Sequence, residues 1–390
     1  MAENDIVGLS FGYGQDGEVQ WLQGFGHANI NENIMVDAES TEFRWASMSK
    51  QVTSILSYKL NERGKLDLNA DISKYWQKYQ RPNYFVIKCN GQDFVEYDDY
   101  KYQCAANDFA YVEVEQDTII TQSMLLSHYA GIESYGDGTT NPVPPDSKKN
   151  DPRINDGIEW AMQYFMNAPF VSQPNSSYAY TTFGLNMAGV VCTYADAEYQ
   201  GRYEDLARAL VFERVYGNVG SIQPDFYWLE KYRPQRATGY KNPQQLSVDN
   251  DVSYKTPGGG YISNVKDALT FALNYRNETL LTNDQKSRAW TPYNEKINAY
   301  YGMGFQLWYQ QDQLLSVGHD GSQDGARSMM RYYPQVDVAM VFMSNSENLN
   351  TSKLLKGIEK ILWRNGVPLP ENWNFQEDTE QVQFQRDIQI

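Results

Sequence analysis

The sequence predicts an α+β fold, with one sheet assembled from both ends of the chain and a mostly helical segment between them. Two observations carry this. Strand-like patterns lie near the N-terminus and again between residues 314 and 343, whereas helical periodicities fill the middle. The 390 residues are also 41% hydrophobic, enough for a sizeable core, and no run approaches the ~18 apolar residues of a membrane-spanning helix.

Taken in order, residues 6–11 and 19–22 alternate in part around Asp16-Gly17, which predicts a hairpin. Val52, Ile55, Leu56 and Leu60 then recur at helical spacing until Arg63-Gly64 ends the run. Leu66, Leu68 and Ile72 continue as a connector. From 76 to 114 the pattern breaks down into Tyr, Asp and Asn, and reads as an irregular insertion. Periodicity returns over 119–126, and residues 127–132 make a turn. Gly136, Gly138, Pro142, Pro144 and Pro145 mark 133–156 as loop.

Helical patterns follow at 157–167, 183–195 and 265–274, the last after the glycine run 258–260. The C-terminal part reads as three strands, at 314–317, 329–333 and 338–343, and a helix at 353–363. The expectation is a single domain over 1–365, with sheet parts about 1–60 and 257–365 and a helical part about 61–256. Residues 366–390 form a polar tail without periodicity.

Composition excludes several functions. A formal charge of −16 disfavours nucleic acid and anionic membranes, which require clustered Lys and Arg. The three histidines, His27, His128 and His319, show no metal-ligand spacing, and neither do the three cysteines. No metal or other cofactor is therefore expected, and the implied partner is a small-molecule or peptide substrate. Cys89 and Cys104 stand as either a disulfide or two free thiols. The first strand pattern begins almost at once, so a leader removed before residue 1 and an extracytoplasmic location are favoured. Oligomeric state is not legible.

The chemistry-bearing stretch is Ser47-Met48-Ser49-Lys50. A Ser and a Lys three residues apart at a helix start share one face, and the amine can draw off the hydroxyl proton without a histidine. The backbone N–H of Ser47 is then an unpaired first-turn donor able to meet an oxyanion. Ser263 and Lys266 repeat the spacing, so the surrounding residues have to distinguish Ser47.

Five separated segments supply that context. Residues 43–50 resemble the helix-opening Ser-x-x-Lys of the serine β-lactamase and penicillin-binding-protein superfamily. Residues 125–132 resemble its Leu-Leu-Thr-His-Thr-Ser-Gly-Leu turn, and Tyr180-Thr181-Thr182-Phe183-Gly184 its Tyr-Ser-Asn-x-Gly. Residues 256–263 are similar to its Pro-x-Gly-Gly-x-x-Ser stretch. Gly318-His319-Asp320-Gly321-Ser322 resembles a His-x-Gly variant of its Lys-Thr-Gly. Order and spacing agree from about residue 5 to 365, leaving the insertion and the tail outside. The group comprises class C β-lactamases, D-alanyl-D-alanine carboxypeptidases, D-aminopeptidases, family VIII esterases and a mitochondrial β-lactamase-like peptidase.

The resemblance implies a β-lactamase/transpeptidase-like fold, an antiparallel sheet flanked by helices, and a serine hydrolase that forms an acyl-enzyme. Ser47 is then the nucleophile, with Lys50 and Tyr180 its proton partners. His319 replaces the third-motif lysine and is expected on the Tyr180 hydroxyl. The N–H groups of Ser47 and Ser322 form the oxyanion hole, and Thr182, Asp320 and Gly321 contact substrate. Thr182 stands where the family has asparagine, a form similar to that of mitochondrial-type members, and one hydroxyl holds a penicillin side-chain amide less well than an amide group. Asp320 is expected to repel a substrate carboxylate and attract an ammonium. Peptidase, amidase or esterase activity with weak or no β-lactamase activity fits best; a family VIII-like carboxylesterase and an inactive scaffold are the alternatives.

Overall fold

The computed structural model describes residues 6–135, 158–217, 220–225, 235–367 and 370. Strands β1 (Gly8–Gln15), β2 (Glu18–Asn29) and β3 (Ile34–Met35) open the chain. Asp16 and Gly17 join β1 to β2 with φ of 55° and 82°, both left-handed as the tightest hairpin turn requires. Strand β4 (Phe43–Arg44) leads through a 3-10 turn, Ala46–Ser49, into helix α1 (Lys50–Glu62). Gly64, at φ 67°, ends α1 where an L side chain would be strained. The four periodic residues, Val52, Ile55, Leu56 and Leu60, are all fully buried.

The insertion is not irregular. It carries β5 (Tyr84–Lys88), β6 (Phe94–Tyr97), β7 (Tyr100–Gln103) and β8 (Phe109–Glu113), paired as two antiparallel ribbons, β5 with β8 and β6 with β7. Asn90-Gly91 and Asp98-Asp99 take positive φ, and Cys89 and Cys104 form a disulfide.

Helices α2 (Gln122–Ser127), α3 (Glu159–Met162), α4 (Thr182–Ala195), α5 (Tyr203–Ala207) and α6 (Glu213–Tyr216) follow. Then come β9 (Gln223–Pro224), β10 (Tyr240–Asn242), β11 (Gln245–Leu246), α7 (Thr256–Gly259), β12 (Tyr261–Ser263), α8 (Val265–Leu273) and α9 (Asn283–Ala289). The end comprises β13 (Gln306–Gln310), β14 (Gln313–Gln323), β15 (Ala326–Tyr333), β16 (Val338–Ser344) and α10 (Thr351–Arg364). Strand β13 had no sequence signal. Most of the expected 133–156 loop and of the 366–390 tail lies outside the described residues.

The main sheet is antiparallel, in the order β13-β14-β15-β16-β1-β2-β3, so the two ends of the chain meet at β16 and β1. One face carries Val317, Met330 and Val341 into the large core with α1, α4 and α8. The opposite face, with Phe11, Met329 and Phe342, packs under Leu362 and Trp363 of α10. No described helix is long and apolar enough to cross a membrane. The small sheet β4-β12-β9 holds the residues before Ser47 in place: Trp45 N–H donates to the Tyr261 carbonyl at 2.8 Å, and Trp45 Nε1 to Ser263 Oγ at 2.6 Å.

Candidate active site

Ser47 sits on the 3-10 turn that launches α1, half-buried among fully buried neighbours. The turn is braced from three sides. Ser328 Oγ donates to the Trp45 carbonyl at 2.7 Å, Ser49 Oγ donates to the Ala46 carbonyl at 2.7 Å, and Tyr261 N–H donates to Ser49 Oγ at 3.2 Å. Ala46 has φ 46°, a conformation an L residue keeps only when its surroundings impose it, and such strain collects at functional sites.

One turn along, Lys50 is completely buried, with Nζ 3.0 Å from Ser47 Oγ, 2.7 Å from the Gly258 carbonyl and 3.4 Å from Thr182 Oγ1. No carboxylate is among these partners. Burial, and then the charge of Lys255, hold its amine well below the ordinary lysine range, which favours the neutral base.

Tyr180 stands on the far side of Ser47, and its hydroxyl donates to Ser47 Oγ at 2.8 Å. Thr181 sets this position by capping α4: its Oγ1 accepts from the N–H groups of Phe183 and Gly184 and donates to the Glu133 carbonyl at 2.8 Å. Burial pushes the Tyr180 phenol up, so it is an acid and not a phenolate at neutral pH. Lys50 Nζ lies 4.9 Å from the Tyr180 ring centre.

His319 does not meet the Tyr180 hydroxyl as expected. Its Nδ1 lies 2.6 Å from the Asp320 carbonyl, which can only accept, so Nδ1 carries the proton. Burial above all keeps the ring neutral, so Nε2 accepts from the Tyr301 hydroxyl at 3.0 Å. The Tyr180 and His319 ring centres are 6.2 Å apart, with Tyr301 edge-on to both.

Asp320 is also corrected. Its carboxylate lies 2.8 Å from Arg331, itself stacked on Trp308, and both ions are nearly buried. Alternation along β14 is the reason. His319 is opposite Met330, which belongs to the core beside α1, and Asp320 is opposite Met329, which faces α10. Asp320 therefore offers no free carboxylate to an ammonium.

Gly321 packs its backbone on Trp45, where a Cβ would collide with the Trp45 carbonyl and Ser328 Oγ. Strand β13 pairs β14 only as far as Gly318, so the edge beyond is open. Asp320 N–H points to that edge, bonded to Gln306 Oε1 at 2.8 Å, and Ser322 N–H, two residues on, points the same way. Thr182 contributes its hydroxyl to Lys50.

The site also contains residues the sequence reading assigned no role. His128 follows α2 at φ 66°, accepts from Thr181 N–H at 3.2 Å through Nδ1, and lays its ring 4.4 Å from that of Tyr180. It stands in the 125–132 turn already singled out. Tyr301 carried no signal, being one of 30 tyrosines.

Human mitochondrial serine beta-lactamase-like protein LACTB is 26% identical over 298 residues, 68% of this chain and 52% of that protein. The chain thus spans about half the length of the curated mitochondrial relatives it matches. The octameric penicillin-binding protein homologue from Pyrococcus abyssi superposes at TM-score 0.68 with 18% identity, covering 95% of this chain and 76% of that one. The D-amino acid amidase from Ochrobactrum anthropi SV3 superposes at 0.63 with 16% identity, covering 92% and 95%. Both share the fold. The family model matched is Beta-lactamase, over residues 1–359, and the chain belongs to that family.

Proposed function

We propose that the protein is a serine hydrolase that forms an acyl-enzyme on amide, peptide or ester substrates. The observation that carries this is the position of Ser47 Oγ, 3.0 Å from a buried amine and 2.8 Å from a buried phenol. Neutral Lys50 takes the Ser47 proton as Oγ attacks the substrate carbonyl carbon. The oxyanion is met by the N–H groups of Ser47 and Ser322. As the tetrahedral adduct collapses, Tyr180 gives its proton to the departing amine or alcohol, and the Lys50 ammonium restores it. Water then enters by the reverse route and frees the acid.

His319 and His128 act on this set indirectly: His319 holds Tyr301 against the Tyr180 ring, and His128 holds the backbone that follows Tyr180. Thr182 is engaged by Lys50, which leaves one hydroxyl and no amide to bind an acylamino side chain. Dedicated β-lactamase rates are therefore not expected.

The test is intact mass after fluorophosphonate treatment of wild type and Ser47→Ala. One adduct on wild type and none on the variant is the expected result; an unlabelled wild type overturns the reading. A panel of esters, D- and L-amino-acid amides and a cephalosporin then separates amidase, esterase and lactamase. A cephalosporin turned over as fast as the best ester sinks the β-lactam exclusion.

A further inference from the structure

The carbonyl that holds Lys50, that of Gly258, belongs to α7, a single turn of sequence Thr-Pro-Gly-Gly. Two glycines give such a turn little helical preference of its own. Its place is set by buried side chains from three other helices. Thr53 Oγ1 of α1 donates to the Pro257 carbonyl at 2.8 Å. That uses the one proton of Thr53, so the Tyr203 hydroxyl of α5 donates to Thr53 Oγ1, at 2.7 Å. At the other end of the same peptide, Gly258 N–H donates to Asn186 Oδ1 of α4 at 3.2 Å. Thr53, Asn186 and Tyr203 are all fully buried.

Asn186 reaches Gly258 because α7 lies along one stripe of α4. A Cβ on Gly258 would stand 2.7 Å from Thr182 Cγ2 and 3.0 Å from Asn186 Oδ1, and one on Gly189 would stand 2.4 Å from Pro257 Cγ. Thr182, Asn186 and Gly189 follow one another at i, i+4 and i+7, which puts them on one face. Gly258 touches Asn186 through its N–H and Lys50 through its carbonyl, so a single residue separates the amide from the amine.

The amide itself needs a reason. Asn186 Nδ2 has no partner among the described residues, a cost that a leucine in its place would avoid, so packing does not account for it. Hydrogen bonding alone does not account for it either. An aspartate would accept from Gly258 N–H equally well and leave no donor unfilled. Its carboxylate would, however, stand one residue from Lys50 and draw the amine toward the ammonium. Around the amine, burial keeps Tyr180, His128 and His319 neutral, Lys255 is cationic, and Asp320 is paired with Arg331 on the other face of β14. Burial pushes the Glu204 carboxyl of α5 up to about 7, an effect common to wild type and to any variant at 186.

We propose that Asn186 is a positioning residue for Lys50. Its neutral oxygen fixes Gly258, and with it the carbonyl that aims the amine at Ser47, without bringing a negative charge that would protonate the base. This rests on the hydrolase reading, in which Lys50 takes the Ser47 proton.

Asn186→Asp and Asn186→Leu separate the two parts of the role, read as kcat/KM–pH profiles on a p-nitrophenyl ester. The aspartate keeps the acceptor and adds charge. Its acid limb is expected to move up by about one to two pH units, with the plateau above it within about threefold of wild type. The leucine removes the acceptor and adds no charge. Its plateau is expected to fall about 10- to 100-fold with the acid limb unmoved, and fluorophosphonate labelling of Ser47 to slow by a similar factor. A leucine variant with the wild-type plateau, or an aspartate variant with the wild-type acid limb, overturns the proposal. Should the leucine variant fail to fold, the aspartate, which matches asparagine in shape, still decides.

A second readout needs no turnover. Asn186→Asp is expected to lower Tm less in wild type than in Lys50→Met, where the new carboxylate has no amine to pair with. Equal losses in the two backgrounds overturn the placement of Asn186 beside Lys50. A wild type that takes no fluorophosphonate label removes the hydrolase reading, and this comparison then decides the placement by itself.

Discussion

In the proposed mechanism Lys50 and Tyr180 divide the proton work, and the division follows from burial. Excluding water disfavours a charge on either group, so the amine is held low and the phenol high, leaving a neutral base and a neutral acid on one oxygen. Activity should therefore fall about tenfold per pH unit below the Lys50 value, with no gain from lowering pH, as a kcat/KM–pH profile will read. Tyr180→Phe removes the acid but keeps the ring on His128 and is expected to lower kcat about 10²- to 10⁴-fold, with slower labelling of Ser47.

The depressed amine also marks the stability curve. Unfolded Lys50 binds a proton that the folded chain refuses, so wild-type stability rises with pH toward the ordinary lysine value of about 10.4. Lys50→Met lacks this dependence. Its Tm measured against wild type should therefore decline steadily from pH 7 toward 10.

At the scale of elements, β14 shows how a strand sorts adjacent residues. His319 and Asp320 were both assigned to the cleft, yet a period of two sends them to opposite faces. That much was legible in the sequence. The identity of Arg331 as partner was not, because the pair depends on β15 lying alongside. Breaking a buried pair leaves an uncompensated charge, so Arg331→Met is expected to cost about 3–5 kcal/mol in denaturant unfolding. Adding Asp320→Asn should recover much of that loss. A double variant no more stable than the single would refute the pairing.

The insertion teaches the reverse lesson. Asn90-Gly91 is a strong turn signal between β5 and β6, and Asp98-Asp99 turns β6 into β7, but the strands themselves are short, half-exposed and rich in tyrosine, so no apolar alternation announces them. The helix 50–62 was legible because its apolar positions are buried against the core, where spacing is under constraint.

Across the whole molecule, the insertion is tied by Cys89–Cys104 and lies apart from Ser47 in the sheet topology. Cross-linking a loop of this length contributes about 3 kcal/mol in the chain-entropy account. Reductant should therefore lower Tm while the fluorophosphonate labelling rate of Ser47 stays the same; a parallel loss of labelling would show that the ribbons support the site.

By itself the sequence determined the elements whose periodicity or turn chemistry is local: the first hairpin, helix 50–62, the helices near 183–195 and 265–273, and the last three strands. It also brought Ser47 and Lys50 together, since three residues on a helical turn share a face whatever surrounds them. Only the tertiary structure decided what depends on residues far apart in the chain. The distance from Tyr180 to Ser47 spans 133 positions. The Tyr301–His319 bond requires the turn between β13 and β14, and the Asp320–Arg331 pair requires the register of β14 on β15. Burial, which sets the protonation of Lys50, His319 and Tyr180, belongs to the packed core as a whole. No local pattern encodes it, because removing water from a side chain takes every neighbour at once.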